Sequence, residues 1–437
     1  MSLVMYRGSR IALLVGVIGC SSSKPSTTVD APGTPGMDAP PPPADAAIDA
    51  LPGRACPHEL TEITRITTAA GNTPYDLLAF LPGNIDGSGA QGVVLVERAP
   101  DSANARTLIR IRAALRNGGV FTIPTVSNLV LPQEGPEKIV LGDFNGDHLV
   151  DVLFSYVTSF PRTSYVYIAT QLADHSFVFQ PRVDVSACSS SNDERLMGLA
   201  VIDVDHDGKD DVVATVSYGG LGAPPLGVTV LSGTSGGVGP ARCVASGGVT
   251  SGFPAQMIAA EAFRVDDFNG DGAPDIAALY PDRIRVFFNT GASQFTLAPN
   301  EVAYNGVTRI QFDHLAGRSH QNLVNVLIAD TMTTAIRLRI DGTGIVASDP
   351  VPVFPEVIDF FFPEFAVGDF NGDGLTDMIA VGAGGMFGVA CDRSVQWDTA
   401  SGSFPLPVSA IQTFHWEPGR DHLLIQTTFD LVLYHVH

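Results

Sequence analysis

The sequence predicts an all-β protein, and more specifically a seven-bladed β-propeller of four-stranded antiparallel blades. Three observations lead to this prediction. A short acidic motif recurs along the chain, each copy lies between two apolar runs of strand length, and about four such runs fill each repeat. Radial repetition of four-stranded sheets leaves few exposed sheet edges, which is the arrangement of a propeller. The alternative, a β-solenoid, needs much shorter repeats.

The acidic motif has nine positions, with Asp at positions 1, 5 and 9 and Asp or Asn at position 3. Its intact copies are named loops A to D: "DFNGDHLVD" (loop A, 143–151), "DVDHDGKDD" (loop B, 203–211), "DFNGDGAPD" (loop C, 267–275) and "DFNGDGLTD" (loop D, 369–377). Three worn copies keep the strand–loop–strand rhythm without the full acid set: 80–96 with Asn84, Asp86 and Ser88 at the ligand positions, 310–329 around Asp313, and 411–426 near His415. Together these copies give seven units of about 46–64 residues.

The two ends of the chain support a closed ring. The last unit has one apolar run before its loop and only two after it, "HLLIQTT" and "LVLYHVH", so it lacks a strand. Residues 61–69, "TEITRITTA", form a strand-like run before the first unit begins near Tyr75. We therefore predict that 61–69 pairs with the C-terminal strand 430–436 as the outer strand of the last blade.

The charge balance excludes one class of partner. Acidic residues outnumber basic residues by 46 to 25, and the formal net charge is −21. Nucleic acid is not an expected partner, because binding to phosphate backbones needs a basic patch or stripe. Thirteen of the acids occupy ligand positions of loops A to D, so part of the acidic excess belongs to these loops.

Residues 1–19 resemble a bacterial lipoprotein signal peptide. Arg7 and Arg10 form a positive region, and "IALLVGVI" (11–18) is an apolar run too short to span a bilayer. The following "VIGC" resembles the lipoprotein cleavage box and implies lipidation of Cys20. An ordinary secretory signal with a chance cysteine is the alternative.

Residues 20–55 are rich in Pro, Ala, Asp and Ser and show no periodicity. Such a composition buries too little apolar surface to fold, so we expect a disordered tether between the lipid anchor and a folded domain, 56–437. Ser21 after the lipidated cysteine resembles the pattern of lipoproteins passed to the outer membrane. We expect a location in the cell envelope, lipid-anchored and either periplasmic or surface-exposed, with no membrane contact other than the anchor.

Four further cysteines allow two disulfide bonds in an exported protein. We favour the pairs Cys188–Cys243 and Cys56–Cys391, because the members of each pair fall in neighbouring repeats. Two other connectivities, or four free thiols, are the alternatives.

Loops A to D have the residue types of a calcium site. Ca²⁺ takes about six to eight oxygen ligands, which side chains at positions 1, 3 and 5 of a tight loop can supply together. Position 7 would add its backbone carbonyl, and the acid at position 9 would close the site. The predicted ligands are Asp143, Asn145, Asp147, Leu149 and Asp151 in loop A; Asp203, Asp205, Asp207, Lys209 and Asp211 in loop B; Asp267, Asn269, Asp271, Ala273 and Asp275 in loop C; and Asp369, Asn371, Asp373, Leu375 and Asp377 in loop D.

Glycine at position 6 permits the sharp turn of such a loop, and loop A has His148 there, so we expect strain or lower affinity in loop A. Turns rich in Asp, Asn and Gly also form without any metal, which is the alternative interpretation. Four copies with acids at the same positions favour calcium, because carboxylates at this density repel one another without a counter-ion. We expect about four structural Ca²⁺ ions, one in each intact loop.

The strand, "DFNGDGxxD", strand pattern and endings such as "VFFNTGASQF" (286–295) closely resemble the FG-GAP/VCBS repeats of integrin-like seven-bladed propellers. The resemblance covers roughly residues 60–437 and is specific in four units. It implies one Ca²⁺ in each intact loop, between the first and second strands of a blade. It implies less about function, because the fold carries adhesins, lectins and some enzymes.

The sequence contains no "HExxH", P-loop or Rossmann glycine motif. "GTSGG" (233–237) fits the pattern of a serine nucleophile, but no helical pattern follows it, so we interpret it as a loop. "HWEPGRDH" (415–422) gathers His, Glu, Arg and Asp, and we interpret it as a worn loop rather than an acid–base site. We expect Trp416 to lie in the core rather than in an exposed recognition patch.

Three functions are compatible with these observations. The favoured one is a lipid-anchored, calcium-binding propeller that acts as a monomeric binding or adhesion module for a protein or glycan ligand. The second is a calcium-dependent enzyme, either a polysaccharide lyase or hydrolase or a phytase-like phosphatase, which needs acids and bases that converge at the central channel. The third is a scaffold subunit of an envelope complex. The enzyme hypothesis is less favoured, and no catalytic residue is assigned.

Overall fold

The computed structural model describes Cys56 and the residue ranges 59–67, 75–88, 91–101, 106–117, 120–131, 136–157, 163–188, 194–218, 225–246, 249–250, 252–253, 257, 262–280, 282–291, 294–303, 310–314, 322–328, 334–341, 344–347, 351–352, 364–373, 377–381, 386–392, 397–403, 408–417, 420–427 and 430–436. The predictions made for the signal peptide 1–19, for Cys20 and for the tether 20–55 lie outside these residues.

The strands are numbered in chain order, and β1 spans Leu60–Thr67. Sheet I contains β2 (Asp76–Gly83), β3 (Gly92–Asp101), β4 (Arg106–Asn117), β5 (Val120–Thr122) and β6 (Val126–Leu131). Sheet II contains β7 (Lys138–Gly142), β8 (Asp151–Val157), β9 (Ser164–Gln171), β10 (Phe177–Phe179) and β11 (Val183–Asp184). Sheet III contains β12 (Glu194–Ile202), β13 (Asp211–Tyr218), β14 (Pro225–Leu231), β17 (Arg242–Ser246) and β18 (Val249–Thr250). A separate hairpin joins β15 (Gly233–Thr234) and β16 (Gly237–Val238).

The second half of the chain continues in the same way. Sheet IV contains β19 (Ala262–Asp266), β20 (Asp275–Leu279), β21 (Arg283–Asn289), β22 (Phe295–Leu297) and β23 (Val302–Ala303). Sheet V contains β24 (Ile310–His314), β25 (Asn322–Ile328), β26 (Thr334–Asp341), β27 (Gly344–Ala347) and β28 (Val351–Pro352). Sheet VI contains β29 (Glu364–Gly368), β30 (Asp377–Val381), β31 (Met386–Asp392) and β32 (Trp397–Ser403). Sheet VII contains β33 (Val408–Glu417), β34 (Arg420–Thr427), β35 (Asp430–Val436) and β1.

Within the described ranges, the strands thus form seven sheets of four or five strands and one short hairpin. In sheets I to VI the first four strands are neighbours in chain order, and every pairing is antiparallel. The fifth strand of sheets I, II, IV and V pairs with the third strand of its sheet. In sheets II, III, IV and VI the first two strands are connected by loops A, B, C and D, respectively. The fold is an all-β propeller of antiparallel blades.

Sheet VII differs from the others because one of its strands comes from the N-terminal part of the domain. Strand β1 pairs antiparallel with β35, with Leu60 opposite Val436 and Thr67 opposite Asp430. The predicted pairing between 61–69 and the C-terminal strand is present, and the strand ends at Thr67. Residues 68 and 69 lie outside the described ranges.

Hydrophobic clusters join neighbouring sheets. Among the described side chains, such clusters lie between sheets I and II, II and III, III and IV, VI and VII, and VII and I. Successive side chains of a strand point to opposite faces. In β8, Val152 and Phe154 therefore pack toward sheet I, whereas Leu153 packs toward sheet III. Both faces of the strand are buried, which explains the nearly continuous apolar run "VLFSYV".

Two disulfide bonds connect neighbouring sheets. Cys188 is bonded to Cys243, with a Cα–Cα distance of 4.7 Å, and Cys56 is bonded to Cys391, with a Cα–Cα distance of 5.6 Å. Both favoured pairings are confirmed. The second bond ties the segment before β1 to sheet VI, next to the sheet in which β1 pairs.

In the part of the chain that the structure describes, none of the helical segments has the length and apolar character that crossing a membrane requires.

Candidate metal loops

Loops A to D occupy equivalent places in their sheets. Position 1 follows the first strand directly or within one residue, and position 9 is the first residue of the second strand. The last residue of the first strand pairs with position 9, as Gly142 does with Asp151 and Gly368 with Asp377. This register places the four predicted side-chain ligands of each loop at the end of one strand pair. In loop D, residues 374–376, including the predicted carbonyl ligand Leu375, lie outside the described residues.

The backbone of each loop turns sharply at two positions. At position 4 the φ angle is positive in all four loops: Gly146 (79°), His206 (59°), Gly270 (78°) and Gly372 (74°). At position 6 it is positive in the three loops described there: His148 (67°), Gly208 (85°) and Gly272 (87°). The predicted unfavourable conformation of His148 is therefore present. The positive φ at position 4 was not predicted, although glycine occupies this position in three of the four loops.

The loop is folded around the side chain of position 1. In loop A, one carboxylate oxygen of Asp143 accepts hydrogen bonds from the amides of Gly146 (2.7 Å) and Asp147 (3.1 Å), and the other accepts one from His148 (2.8 Å). Loop C repeats these three bonds at Asp267 with distances of 2.7, 3.1 and 2.8 Å. Asn145 at position 3 accepts a bond from the amide of position 5 at 2.8 Å. The side chains of positions 1 and 3 are thus directed into the loop by bonds to its own backbone.

The aspartate at position 9 is buried in every loop. Asp151, Asp211, Asp275 and Asp377 are 0–1% exposed. One oxygen of Asp211 accepts a bond from the amide of Gly233, which opens the hairpin after the third strand (2.6 Å), and the other accepts one from Val204 at position 2 (3.0 Å). The position 9 side chain therefore connects the loop to the interior of its own sheet.

Burial, and then the carboxylates of the same loop, raise the pKa of the position 9 aspartates. The pKa is raised to about 8 for Asp151 and Asp377, to about 7 for Asp275 and to about 6 for Asp211. These shifts arise because the buried carboxylates lie beside like charges. A bound cation would favour the charged form of these carboxylates and so oppose both causes.

The arrangement fits a divalent cation. In loop B, one carboxylate oxygen from each of Asp203, Asp205 and Asp211 lies within 4.8 Å of the others. In loop A, the Oδ2 atom of Asp151 is buried and has no hydrogen-bond partner. Carboxylate oxygens are the hard donors that Ca²⁺ prefers. Within loop B, the ammonium of Lys209 contacts Asp207 at 2.6 Å, and this partner raises the pKa of Lys209.

The worn loop of the first unit keeps the framework without the acid at position 9. In the first unit, Gly87 at position 4 has a φ of 70° and the amide of Ser88 bonds to Asp86 (2.9 Å). Position 9 is Gly92, where a Cβ atom would lie 2.7 Å from the carbonyl oxygen of Ala114. A carboxylate cannot occupy this place. For the fifth unit, β24 and β25 pair around the predicted loop, and residues 315–321 lie outside the described ranges.

The last unit has His422 at position 9, because Phe414 pairs with His422 as Gly142 pairs with Asp151. His422 is fully buried and its ring contacts His435 at 3.1 Å. His415, at position 1, bonds through its ring to Asp421, and Arg420 contacts the His435 ring at 2.8 Å. Four of the polar residues of "HWEPGRDH", His415, Arg420, Asp421 and His422, therefore make side-chain contacts between strands. "GTSGG" lies in the β15–β16 hairpin.

Position 2 of these loops is a buried apolar anchor, which was not predicted from the sequence. In the six units where it is described, this residue is 0–4% exposed: Ile85, Phe144, Val204, Phe268, Phe370 and Trp416. Trp416 packs edge-on against Phe121 of sheet I with ring centroids 5.5 Å apart, and the guanidinium of Arg116 lies 4.2 Å above its ring. The expectation that Trp416 lies in the core is confirmed.

Two family models match the sequence. One, described as an FG-GAP-like repeat, matches residues 143–214 and thus covers loops A and B. The other, described as an FG-GAP repeat, matches residues 361–389 and covers loop D. No curated protein matches the chain.

Several solved structures are similar over most of the chain. A structure of BBS1N in complex with ARL6DN, soaked with lead, shares 12% identity, covers 87% of this chain and 96% of its own, and has a TM-score of 0.46. A lectin of Agrocybe aegerita, solved for its recognition of non-reducing terminal N-acetylglucosamine, shares 15% identity, covers 83% and 88%, and has a TM-score of 0.48. The Dos1 propeller shares 10% identity, covers 78% and 75%, and has a TM-score of 0.46.

Proposed function

We propose that this FG-GAP repeat β-propeller is a calcium-stabilised binding or adhesion module of the cell envelope. The observations that carry the proposal are the cluster of Asp203, Asp205 and Asp211 in loop B and the buried aspartate at position 9 of each of loops A to D. The side chains of positions 1, 3, 5 and 9, with the backbone carbonyl of position 7, would hold one Ca²⁺ in each loop. The ion would supply a positive charge that links the first two strands of a blade.

The proposed architecture is a closed ring of seven blades, one for each sheet. It is supported by the pairing of β1 with β35 and by the hydrophobic cluster between sheets VII and I. In that cluster, Phe80 and Leu95 of sheet I pack with Phe414 and Leu433 of sheet VII. A ring closed in this way presents its loops on two opposite rims, which suits a monomeric protein that binds a protein or glycan ligand.

The proposed location follows from the N-terminal sequence. Lipidation at Cys20 would attach the chain to the outer membrane, and residues 20–55 would act as a tether that keeps the propeller away from the lipid surface. A lipid anchor followed by an extended tether suits a module that must reach a ligand beyond the membrane. Replacing Cys20 by Ser should move the protein from the membrane fraction to the soluble fraction. An unchanged distribution would contradict lipid anchoring.

The test of calcium binding is thermal unfolding of the full chain in calcium and in EDTA. A ligand that binds only the native state stabilises it by about 2.7 kcal/mol per site at a free concentration of about 100 Kd. We therefore expect a large rise in melting temperature with calcium and a stoichiometry of about four ions in equilibrium dialysis. Magnesium is the control, because its near-ideal octahedral geometry suits these loops less well. Equal melting temperatures in calcium and EDTA would contradict the proposal.

A protein and glycan binding array on the same chain would identify the ligand class. Binding that requires calcium would place the ligand surface close to loops A to D. Binding that persists in EDTA would place it elsewhere on the propeller.

A further inference from the structure

Loops of consecutive units contact each other through one specific residue. The amide of Asp143, position 1 of loop A, donates a hydrogen bond to Oδ2 of Asp210, position 8 of loop B, at 2.7 Å. In return, the amide of Asp210 donates to the carbonyl oxygen of Asp143 at 2.8 Å. The following unit therefore binds both the amide and the carbonyl oxygen of Asp143, the first residue of loop A.

The same pair of bonds recurs between the sixth and seventh units. The amide of Asp369, position 1 of loop D, donates to Oδ2 of Asp421 at 2.8 Å, and the amide of Asp421 donates to the carbonyl of Asp369 at 2.9 Å. Asp421 precedes His422 and so occupies position 8 of the worn last loop. A Cβ atom on Gly368 would lie 2.6 Å from the Asp421 carboxylate, which explains the glycine before loop D.

A third contact of this kind, made by the amide of position 1, joins the last unit to the first. The amide of His415, position 1 of the last unit, donates to Oε1 of Gln91 at 2.9 Å. Gln91 precedes Gly92, which pairs with Gly83, and so occupies position 8 of the first unit. The contact thus recurs at a loop pair that lacks the acidic ligands.

A second contact accompanies the first. The carbonyl oxygen of position 2 accepts a hydrogen bond from the following unit in four cases. The donor and acceptor pairs are Gln171 Nε2 to Ile85 (2.7 Å), the Thr234 amide to Phe144 (3.1 Å), Arg420 Nε to Phe370 (2.7 Å), and the Arg116 guanidinium to Trp416.

We infer that position 8 is a clip between neighbouring blades, in which Asp210 and Asp421 position the first ligand of loops A and D and Gln91 fastens the last unit to the first. The clip binds the backbone amide and carbonyl of the residue at position 1. The side chain of that residue stays directed into its own loop. Its effect on the metal rests on the proposed calcium binding, whereas its effect on blade contact does not.

The contact is not a necessary product of the fold. Pro274 occupies position 8 of loop C, in the unit after loop B. Proline has no polar side chain, so it cannot accept a hydrogen bond from position 1 of loop B. In loop C, the amide of Asp267 donates instead to the side chain of the preceding residue, Asp266, at 2.8 Å. Loops A and D are therefore held by their neighbours, whereas loop C satisfies the same amide within its own unit.

The experiment compares Asp210→Ala, Asp210→Asn and Gln91→Ala in the full chain. Calcium titration by calorimetry and thermal unfolding in EDTA are measured for each variant. Loss of a residue that orients a ligand typically weakens metal affinity by about 10- to 100-fold. We expect Asp210→Ala to weaken one site by at least about tenfold, with the remaining sites unchanged. Asp210→Asn keeps an acceptor oxygen and should restore most of this affinity.

Gln91→Ala is the matched control, because it removes the same contact at a loop without acidic ligands. It should lower the melting temperature in EDTA and leave every calcium affinity unchanged, and Asp210→Ala should lower the melting temperature in EDTA as well. Wild-type melting temperatures for both alanine variants would overturn the clip. Equal damage by Asp210→Asn and Asp210→Ala would overturn the positioning role. If the wild-type chain binds no calcium, the proposed function fails, and the EDTA measurements still decide on the clip.

Discussion

The second and seventh units build similar blades around different loops. Loop A in sheet II has its acids at positions 1, 5 and 9, whereas the corresponding turn in sheet VII has His415 and His422 at positions 1 and 9 and is one residue shorter. Both units nevertheless bury position 2, as Phe144 and Trp416, and in both the residue before position 1 pairs with position 9. The comparison shows that the blade requires the apolar anchor and the strand pairing but not the acidic ligands.

The two units also differ in the origin of their strands. Every strand of sheet II comes from one continuous stretch of chain, whereas sheet VII is completed by β1 from the N-terminal part of the domain. The proposed metal ligands of sheet II and the composite strand of sheet VII would therefore stabilise their blades by different means. The following predictions test each difference.

The largest effect is expected from deleting residues 60–67, which removes β1. Sheet VII would then expose the edge of β35 along its whole length, and Ile66, which is 4% exposed, would leave the cluster between sheets VII and I. We expect loss of more than about 5 kcal/mol, which is the whole stability of many domains. Circular dichroism and size-exclusion chromatography would measure it.

Deletion of eight residues from the tether 20–55 is the control for chain length and should leave unfolding unchanged. A folded, monomeric 60–67 deletion with the wild-type melting temperature would contradict the role of β1 in sheet VII.

The next largest effect concerns the shared anchor. Phe144→Ala and Trp416→Ala should each lower the free energy of unfolding by about 3–5 kcal/mol, because a large buried aromatic side chain leaves a cavity. The loss should be the same in EDTA, since neither side chain is a predicted ligand. Urea unfolding of both variants, with and without calcium, measures this. A loss at Phe144 that disappears in EDTA would show that the anchor acts only through the metal.

The chemical difference between the two units is largest at position 9, which is Asp151 in the second unit and His422 in the seventh. Asp151→Asn keeps the size of the side chain and removes its charge, so it should lose up to about 2.7 kcal/mol of the calcium-dependent stabilisation at about 100 Kd. In EDTA it should cost little, because the buried carboxylate has no counter-ion there. His422→Gln is the matched variant in the last unit and should change stability equally with and without calcium. A calcium-dependent effect at His422 would contradict the assignment of that loop as metal-free.

The sequence was sufficient for the parts of the fold that depend on local pattern. Period and spacing predicted the loops between first and second strands, the pairing of the N-terminal segment with 430–436 and both disulfide bonds. The loops follow from acids at fixed positions and from apolar runs that can be read within one unit. The strand pairing follows from the strand that the last unit lacks, and the disulfide bonds follow from cysteines that fall in neighbouring repeats.

The features that were missed depend on contacts between units or on backbone geometry. Asp210 and Asp421 looked like ordinary loop acids, because their function depends on the amide of a residue more than fifty positions away. Phe144 and Trp416 looked like separate aromatics until the strand register aligned them at position 2. "GTSGG" was interpreted as an irregular loop, and part of it forms the β15–β16 hairpin, which is too short for a periodic signal.

The smallest effect is expected at the surface of the composite sheet. Arg65 on β1 forms ion pairs with Glu62 at 2.5 Å and with Asp430 on β35 at 3.0 Å, and its side chain is 46% exposed. Arg65→Ala should therefore lower the free energy of unfolding by only about 0.2–1 kcal/mol near pH 7. The hydrogen bond from Arg65 lowers the pKa of Glu62, so this stabilisation is present above the ordinary carboxyl pKa and is lost as the pH falls through the lowered value. Urea unfolding at pH 7 and at about pH 3 should show a difference between wild type and variant that shrinks at the lower pH. A loss at pH 7 as large as that for Trp416→Ala would mean that the ion pairs, rather than the strand pairing, hold β1 in sheet VII.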